Sequence, residues 1–328
     1  MKTIMWFRQD LRISDNPALL EAVSSGEIIP IYILDDINSQ SEKIGDASRV
    51  WLHYSLLELN RSLNGNLRFF KGAAKEIISE LIRETDSKKI VWNRCYEPWR
   101  IKRDTNIKKD LKELGIEVKS CNGSLLWEPQ EICKTDGTHY RVFTPFYRRG
   151  CLNAVPPRIP QNTPLNIKFA EILNLKRDCS LEELELLPKH NWYISMVKNW
   201  KIGEQGGLDD LDDFLKNGIV NYKMGRNIPA KKSVSRLSPR LHFGELSPNQ
   251  VWYAAQQIIE PGDPNLDSFL SELGWREFAY HLHFHYPSLA NENLNPKFNS
   301  FAWKTETNNI EAWQTGMTGY PIVDAGMR

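Results

Sequence analysis

The first third of the chain alternates short apolar runs with segments of helical periodicity. Apolar runs at residues 2–7, 28–34, 67–70, 90–93 and 116–120 predict five strands. Helices are predicted between them, one starting at Pro17 and others over residues 47–63, 73–82 and 101–114. The run 28–34 is continuously apolar, as in strands buried on both faces. Strands alternating with helices therefore predict a doubly wound, parallel, Rossmann-like α/β domain over residues 1–126.

Polar residues follow several of these strands, at residues 8–10, 35–36 and 93–97. Parallel sheets of this kind bind ligands at the carboxyl ends of their strands. The chain has no G-x-G-x-x-G and no G-x-x-x-x-G-K-[ST] motif, so interpretations as an NAD-binding protein or a P-loop NTPase lose their main support. Two interpretations stay open for this edge: a cofactor site, or loops that only pair charges.

From about residue 127 to about residue 200 the periodicity fades and proline recurs. We predict a connector over residues 127–200, with short helices, because long loops in compact chains usually have a function. Within it, Thr144–Arg149 is predicted to be a surface turn. After Gly203 helical periodicity dominates, most clearly at residues 208–215, 249–258, 267–284 and 310–314. Residues 201–328 are therefore predicted to form an all-α domain.

One predicted helix carries chemistry on its surface. Residues three and four apart share a helix face, which groups Phe269, Glu272, Trp275 and Arg276. The alternative interpretation is an ordinary amphipathic helix with a Glu272–Arg276 surface pair, worth ~0.3–0.5 kcal/mol. The segment alone does not separate a functional site from a structural helix.

Positive charge is concentrated between Phe214 and Gly244, which we call the basic window. It has no Asp or Glu and seven cations: Lys216, Lys223, Arg226, Lys231, Lys232, Arg236 and Arg240. The window predicts a positive surface suited to phosphates, and a solvated basic face is the alternative. Ser238 is predicted to cap a helix that begins at Pro239. Together with Arg236, that helix start would form an anion site.

Composition removes several classes of function. The chain has 328 residues, 41% of them hydrophobic, and its formal net charge of +1 does not indicate a general affinity for polyanions, so any nucleic-acid site would need a local concentration of positive charge. Its five cysteines are widely spaced and show no zinc pattern. Among the histidines near residue 283, only His281 and His285 would share a helix face, so no metal site is expected. No segment approaches the ~20 apolar residues of a membrane span, and a soluble, cytoplasmic protein is expected.

Four stretches resemble the DNA photolyase/cryptochrome family of flavoproteins. They are Trp6–Asn16 (WFRQDLRISDN), Ser235–Glu245 (SRLSP followed by HFGE), Glu272–Phe278 (ELGWREF) and Trp313–Arg328 (WQTGMTGYPIVDAGMR). They occur in family order and span the chain. The resemblance implies an N-terminal α/β antenna domain and a C-terminal helical domain that binds FAD. It also implies blue-light-driven electron transfer that splits cyclobutane pyrimidine dimers in DNA.

The resemblance also assigns roles to matching residues. The implied FAD contacts are Tyr222, Val234, Ser235, Arg236, Leu237, Ser238, Phe269, Glu272 and Arg276. The implied contacts with damaged DNA are Arg226, Glu272, Trp275 and Arg276. Glu272 and Trp275 are the implied catalytic pair, because the acid hydrogen-bonds the flipped pyrimidines and the dimer stacks on the indole. Trp303 matches the exposed terminal member of the tryptophan chain that re-reduces the flavin.

Three features depart from the family pattern. Val234 stands where Thr is common, and Pro98–Arg100 replaces the residues with which some members hold a folate. The antenna chromophore therefore stays open among folate, deazaflavin, another flavin or none. The chain also stops at Arg328, whereas the family continues, so we expect a chain truncated at its C-terminus with an incomplete FAD-binding domain.

Three functions stay open at this stage. They are light-driven repair of pyrimidine dimers by a class I-like photolyase, blue-light signalling by a cryptochrome-type receptor, and an inactive photolyase fragment. Trp275 favours repair, because plant-type cryptochromes tend to have Tyr at that position. The expected partner is damaged DNA, and the expected protein is a monomer that binds neither metal nor membrane.

Overall fold

A five-stranded parallel sheet organises the N-terminal part of the protein. The computed structural model describes residues 1–39, 42–172 and 175–328. The strands are β1 Lys2–Phe7, β2 Glu27–Leu34, β3 Arg68–Lys71, β4 Lys89–Asn93 and β5 Glu117–Cys121, in the order β3-β2-β1-β4-β5. The helices of this part are α1 Pro17–Ser24, α2 Asp36–Ser39, α3 Asp46–Ser62, α4 Ala74–Thr85 and α5 Pro98–Glu113. The predicted doubly wound α/β fold is confirmed.

Both faces of the sheet are buried, which explains the continuously apolar strands. Alternate side chains of a strand point to opposite faces. In β1, Met5 and Phe7 pack into one hydrophobic core, while Ile4 and Trp6 pack into another. A polar side chain has no solvated face to occupy along such a strand. The sequence predicted that this helix begins at residue 101, but α5 begins three residues earlier, because Pro98 occupies its first turn.

The connector contains a helical turn where the sequence predicted a surface turn. Phe143–Pro145 forms a short helix, α6, and Phe146–Gly150 continues it as a π-helical turn. Phe146 and Tyr147 are buried in the core of the helical part. The predicted surface turn at this position is therefore wrong. The two arginines that suggested exposure sit on the outer side of a turn whose aromatic side chains point inwards.

Helices dominate the rest of the chain. They are α7 Tyr193–Val197, α8 Glu204–Asp213, α9 Tyr222–Gly225, α10 Ser238–Phe243, α11 Pro248–Ile258, α12 Pro264–His285, α13 Thr307–Gln314 and α14 Pro321–Met327. Residues Met1–Pro287 form one compact unit, and Ser288–Arg328 form a second one that contains α13 and α14. The prediction that Ser238 caps α10 is wrong, because Ser238 is already helical and no side chain caps this helix.

Candidate functional site

A cavity of about 370 Å³ lies against one face of α12. Its lining residues are Tyr222, Ser235, Leu237, Ser238, Leu241, His242, Val251, Phe269, Glu272, Leu273, Arg276 and Tyr280. The five that belong to α12 are spaced by three and four along the sequence, so they share one helix face. Seven of the nine FAD contacts implied by the resemblance line this cavity.

Aromatic side chains form the inner wall of the cavity. Phe269 is buried, with its ring centroid 5.3 Å from Tyr222 and 4.7 Å from Phe214. Burial raises the pKa of the Tyr222 phenol. The phenol therefore stays protonated at neutral pH, and its hydroxyl is available as a hydrogen-bond donor.

The charged groups of the cavity pair differently from the sequence-based alternative. Glu272 forms an ion pair with Arg226, which lies 46 residues away along the chain. Arg276 Nη1 donates to the carbonyl oxygen of Ser124 at 2.8 Å and to Glu277 Oε1 at 3.2 Å. The alternative interpretation, in which Glu272 pairs with Arg276 at the surface, is therefore wrong. Tertiary partners displaced the interaction between helical neighbours.

Trp275 lies beside the cavity and does not line it. At 3.6 residues per turn, its side chain is rotated by about 120° around the helix from Phe269. The indole ring stacks on Phe143, with the ring centroids 3.7 Å apart and the planes inclined by 11°. Trp275 is nevertheless 48% exposed. The predicted four-residue face is therefore wrong for Trp275, which presents an aromatic surface at the flank of the cavity.

Val234 and Arg236 line a neighbouring cavity of about 630 Å³ that shares Ser235 with the first. Lys231 and Lys232 line it too. Arg236 has a positive φ of 53° and places its guanidinium 4.1 Å from the centroid of the Trp200 ring. The nine implied FAD contacts thus divide between two cavities that meet at Ser235.

The basic window is less positive than its sequence suggests. Arg240 is fully buried and pairs with Asp210 at 2.8 Å and with Glu245 at 2.7 Å. Lys216 pairs with Asp212 at 2.6 Å, and Arg226 pairs with Glu272. The acids come from outside the window, so counting charges within it could not detect them. Exposed cations still include Lys223, Lys231 and Lys232.

Comparison with known proteins identifies the family. The sequence-family model described as "DNA photolyase" matches residues 3–164, and the family model described as "FAD binding domain of DNA photolyase" matches residues 269–328. The chain is 41% identical, over 99% of its length, to a deoxyribodipyrimidine photo-lyase of Agrobacterium fabrum, and it covers 68% of that enzyme. The chain belongs to the DNA photolyase/cryptochrome family.

Both photolyases and cryptochromes resemble this photolyase-family chain. Cryptochrome-2 of Arabidopsis thaliana is 33% identical over the whole chain, which covers 56% of that protein. A class III photolyase from Agrobacterium tumefaciens superposes with a TM-score of 0.92 at 40% identity; the chain is fully covered and spans 68% of that structure. The motifs had suggested a class I-like member. An archaeal photolyase from Sulfolobus tokodaii with two FAD molecules superposes with a TM-score of 0.79 at 28% identity; the chain is fully covered and spans 70% of that structure.

FAD is the cofactor of this family, and the residues present fit it. The main cavity lies within the ~300–1,000 Å³ typical of ligand sites and is mostly apolar, with a few polar groups. Phe269 and Leu273 offer an apolar surface, and Ser235 offers a hydroxyl. The neighbouring cavity adds Lys231 and Arg236, cations suited to phosphate oxygens. The apolar surface of the first cavity thus suits the aromatic ring system of FAD, and the cations of the neighbouring cavity suit its pyrophosphate.

A buried carboxylate that sequence reasoning missed contacts Arg276, one of the residues that line the cavity. Glu277 follows Arg276 on α12 and is buried. Its Oε2 accepts the backbone N–H groups of Leu126 at 2.9 Å and Trp127 at 3.3 Å, and Oε1 accepts from Arg276. Burial raises the pKa of Glu277 to about 7. The position lies within the motif Glu272–Phe278, but the sequence does not indicate its burial, because its backbone partners Leu126 and Trp127 lie at least 150 residues away along the chain.

The raised pKa predicts how Glu277 affects stability. A carboxyl whose pKa is higher in the folded state contributes stability that is present below about pH 4.5 and lost as the pH rises through about 7. We therefore compare the free energy of unfolding of the wild type with that of Glu277→Gln. The difference, wild type minus variant, should fall by up to about 3 kcal/mol as the pH rises from 5 to 8. Urea unfolding of both proteins at several pH values measures this difference.

Glu185→Gln is the contrasting control for this measurement. A hydrogen bond from Lys71 lowers the pKa of Glu185 below its usual 4.5, so its contribution to stability is lost only as the pH falls below about 4.5, and the difference between Glu185→Gln and the wild type should stay constant from pH 5 to pH 8. A difference for Glu277→Gln that stays constant from pH 5 to pH 8 would contradict the assignment.

Polar residues at the strand ends of this photolyase-family domain form ion pairs with α5. Arg8 pairs with Asp104, and Arg103 pairs with Asp35 at 3.3 Å. Both guanidinium groups lie within 5 Å of the Trp6 ring centroid. The cavity that they line is only about 60 Å³, far below the ~300–1,000 Å³ typical of ligand sites. A folate, a deazaflavin or a second flavin would each require these side chains to move.

The remaining sequence-based candidates lie outside the cavities. Trp303 belongs to the unit Ser288–Arg328 and is 72% exposed, as expected of a terminal electron carrier, although its role stays a prediction. His285 stacks on His139, with ring centroids 3.4 Å apart, and lies 4.6 Å from His281. Across the residues that the structure describes, no group of three or more His, Cys, Asp or Glu is arranged to hold a metal, and none of the described helices is long and apolar enough to cross a membrane.

Proposed function

We propose that this chain supports blue-light-driven repair of cyclobutane pyrimidine dimers in DNA. The observation that carries the proposal is the cavity on α12, which gathers seven of the implied FAD contacts and has a half-exposed tryptophan at its edge. A ring system held against Phe269 and a base stacked on Trp275 would lie on neighbouring faces of one helix. The chain covers 68% of its Agrobacterium fabrum relative.

Residues of both cavities would hold FAD. Tyr222, Ser235 and Ser238 offer hydroxyls to the cofactor, and Phe269 limits the space behind it. Arg236 offers the cation for the phosphates. When bound and reduced, FAD supplies the photoexcited electron that opens the dimer. The contribution of the chain is to exclude water from the apolar wall and to fix the distance between cofactor and substrate.

Glu272 and Trp275 would receive the flipped dimer. A base removed from the duplex loses its stacking, and an aromatic wall restores ~1–3 kcal/mol per base. The exposed face of Trp275 is available for this contact. Arg226 would leave its ion pair with Glu272 to meet a DNA phosphate, and Glu272 would then be free to hydrogen-bond the pyrimidines.

An illumination experiment tests the proposal. The purified chain is incubated with FAD and its absorption spectrum is recorded. It is then mixed, in the presence of a thiol as external electron donor, with an oligonucleotide that contains one thymine dimer. Blue light should restore the two thymines, and a sample kept in the dark should not change. Flavin photoreduction without repair would instead support the cryptochrome-type function, which the 33% identity to Cryptochrome-2 favours as the second candidate. A chain that binds no flavin would support the inactive-fragment hypothesis.

Arg226→Ala gives a prediction for general DNA binding. A phosphate contact is independent of sequence and damage, so the affinities for damaged and undamaged DNA should fall by similar factors. The slope of log K against log salt should also become shallower by about 0.9. Fluorescence anisotropy titrations at several salt concentrations measure both effects.

Arg226→Lys is the matched control, because it keeps the charge and should keep the salt slope. If Arg226→Ala leaves the salt slope unchanged, Arg226 serves only as the partner of Glu272.

A further inference from the structure

One face of Trp275 is already occupied within the protein. The rings of Trp275 and Phe143 stack with centroids 3.7 Å apart at 11°, and Tyr147 continues the stack 5.5 Å beyond Phe143 at 8°. Three nearly parallel aromatic planes therefore run from the flank of the cavity into the connector. A flat ligand can reach only the outer face of the indole.

The support behind this stack is closely packed. Tyr147 is buried, and its ring packs directly against α12 at Gly274: a Cβ atom at Gly274 would lie 2.5 Å from Tyr147 Cδ2. Phe278 closes the side of the stack, with its ring edge-on to both Phe143 and Trp275 at 5.9 Å. The connector turn thus fits against α12 immediately before Trp275.

This arrangement restricts the indole before any ligand arrives. A stacked aromatic pair is worth ~0.5–1.5 kcal/mol beyond the area it buries. An indole already held in one orientation loses less side-chain entropy when a base stacks on it, and such pre-organisation appears as affinity. The benefit applies only to ligands that use Trp275, because phosphate contacts lie elsewhere.

We propose that Phe143 is a positioning residue for damage recognition, which fixes the plane of Trp275 so that its outer face receives the flipped base. The inference rests on the proposed function of Trp275 as the stacking surface. Phe143 itself touches neither DNA nor cofactor. Its effect passes through the orientation of the indole.

The test compares Phe143→Leu, which removes the ring but keeps an apolar side chain, with Phe143→Tyr, which keeps the ring. Dissociation constants are measured by fluorescence anisotropy for a duplex with one thymine dimer and for the same duplex undamaged. Phe143→Leu should weaken binding to the dimer duplex about 2- to 10-fold and leave binding to the undamaged duplex unchanged. Phe143→Tyr should restore the affinity.

Two further variants make the result interpretable. Val142→Ala changes an exposed neighbour in the same segment and should bind both duplexes like the wild type. Phe143→Met carries the same expectation as Phe143→Leu and replaces it if thermal melting shows that the Leu variant is unfolded. Phe143 is only partly buried, so a folded variant is expected.

Trp275→Ala in the same assay distinguishes the positioning role of Phe143 from the proposed stacking role of Trp275. If it abolishes the preference for the dimer duplex while Phe143→Leu retains it, the positioning role is overturned and the proposed function stands. If Trp275→Ala retains the preference, the stacking surface itself is wrong. Equal losses on both duplexes for Phe143→Leu would also overturn the inference, because they would indicate a general structural effect.

Discussion

Replacing Glu245 with alanine should lower the free energy of unfolding by about 3–5 kcal/mol. Glu245 is completely buried, and its Oε2 accepts a hydrogen bond from Arg240 Nη1 at 2.7 Å. Its Oε1 accepts from Trp51 Nε1 at 2.9 Å, from Ser55 Oγ at 2.8 Å and from the backbone N–H of Gly203 at 3.0 Å. The alanine variant would leave a buried guanidinium with one carboxylate partner, Asp210, and three donors without their acceptor.

The effect of Glu245→Ala should reach beyond local packing. Trp51 and Ser55 belong to α3 of the α/β part, whereas Arg240 belongs to α10, which carries residues of the cavity. One carboxylate therefore joins the sheet domain to the helical wall of the site. The variant should lose both stability and affinity for FAD.

Urea unfolding measures the stability of this variant, and Asp212→Ala provides the control. Asp212 pairs with Lys216 at 2.6 Å, but both side chains are exposed, so its loss should change the free energy of unfolding by less than about 0.5 kcal/mol. A loss below about 1 kcal/mol for Glu245→Ala would contradict the role assigned to this network.

Trp275→Ala should weaken binding to DNA that contains a pyrimidine dimer by about 5- to 150-fold, equivalent to ~1–3 kcal/mol of lost stacking. Binding to undamaged DNA should change by less than about twofold. The indole is 48% exposed and supported from behind by Phe143, so its removal takes away a prepared stacking surface without opening the core. Anisotropy titrations with matched duplexes measure both affinities.

Trp303→Ala is the matched control for Trp275→Ala. It also removes an exposed tryptophan, but from the separate unit Ser288–Arg328, and it should leave both DNA affinities unchanged. If Trp275→Ala weakens binding to damaged and undamaged DNA equally, Trp275 does not contact the flipped base. An effect of Trp303→Ala on flavin photoreduction alone would agree with its predicted role in electron transfer.

The α/β half was predictable because its signals are local. Strands buried on both faces must be continuously apolar, and β1 and β2 keep this pattern along their lengths. The predicted start of a helix was less accurate where a proline in the first turn extended the helix towards its N-terminus, as Pro98 does in α5. Seven of the nine residues to which the family resemblance assigns FAD contacts line one cavity, and their contact with FAD stays a prediction.

The errors share one cause. Arg240, Glu272 and the segment Thr144–Arg149 were all interpreted from their sequence neighbours. Their decisive partners lie far away: Asp210 for Arg240, Arg226 for Glu272, and the core of the helical part for Phe146 and Tyr147. A charge count or a turn propensity cannot include a partner that only folding brings into contact.

The sequence by itself thus determined the fold class, the family and the residue types that meet at the site, because strand periodicity and motif order are properties of the chain. Only the tertiary structure decided which carboxylate neutralises which cation and which face of Trp275 is free. Those outcomes depend on the rotation of α12 about its axis and on the connector turn that packs against it at Gly274. The helix that carries the chemistry was visible in the sequence, but the direction in which each of its side chains points was set by packing.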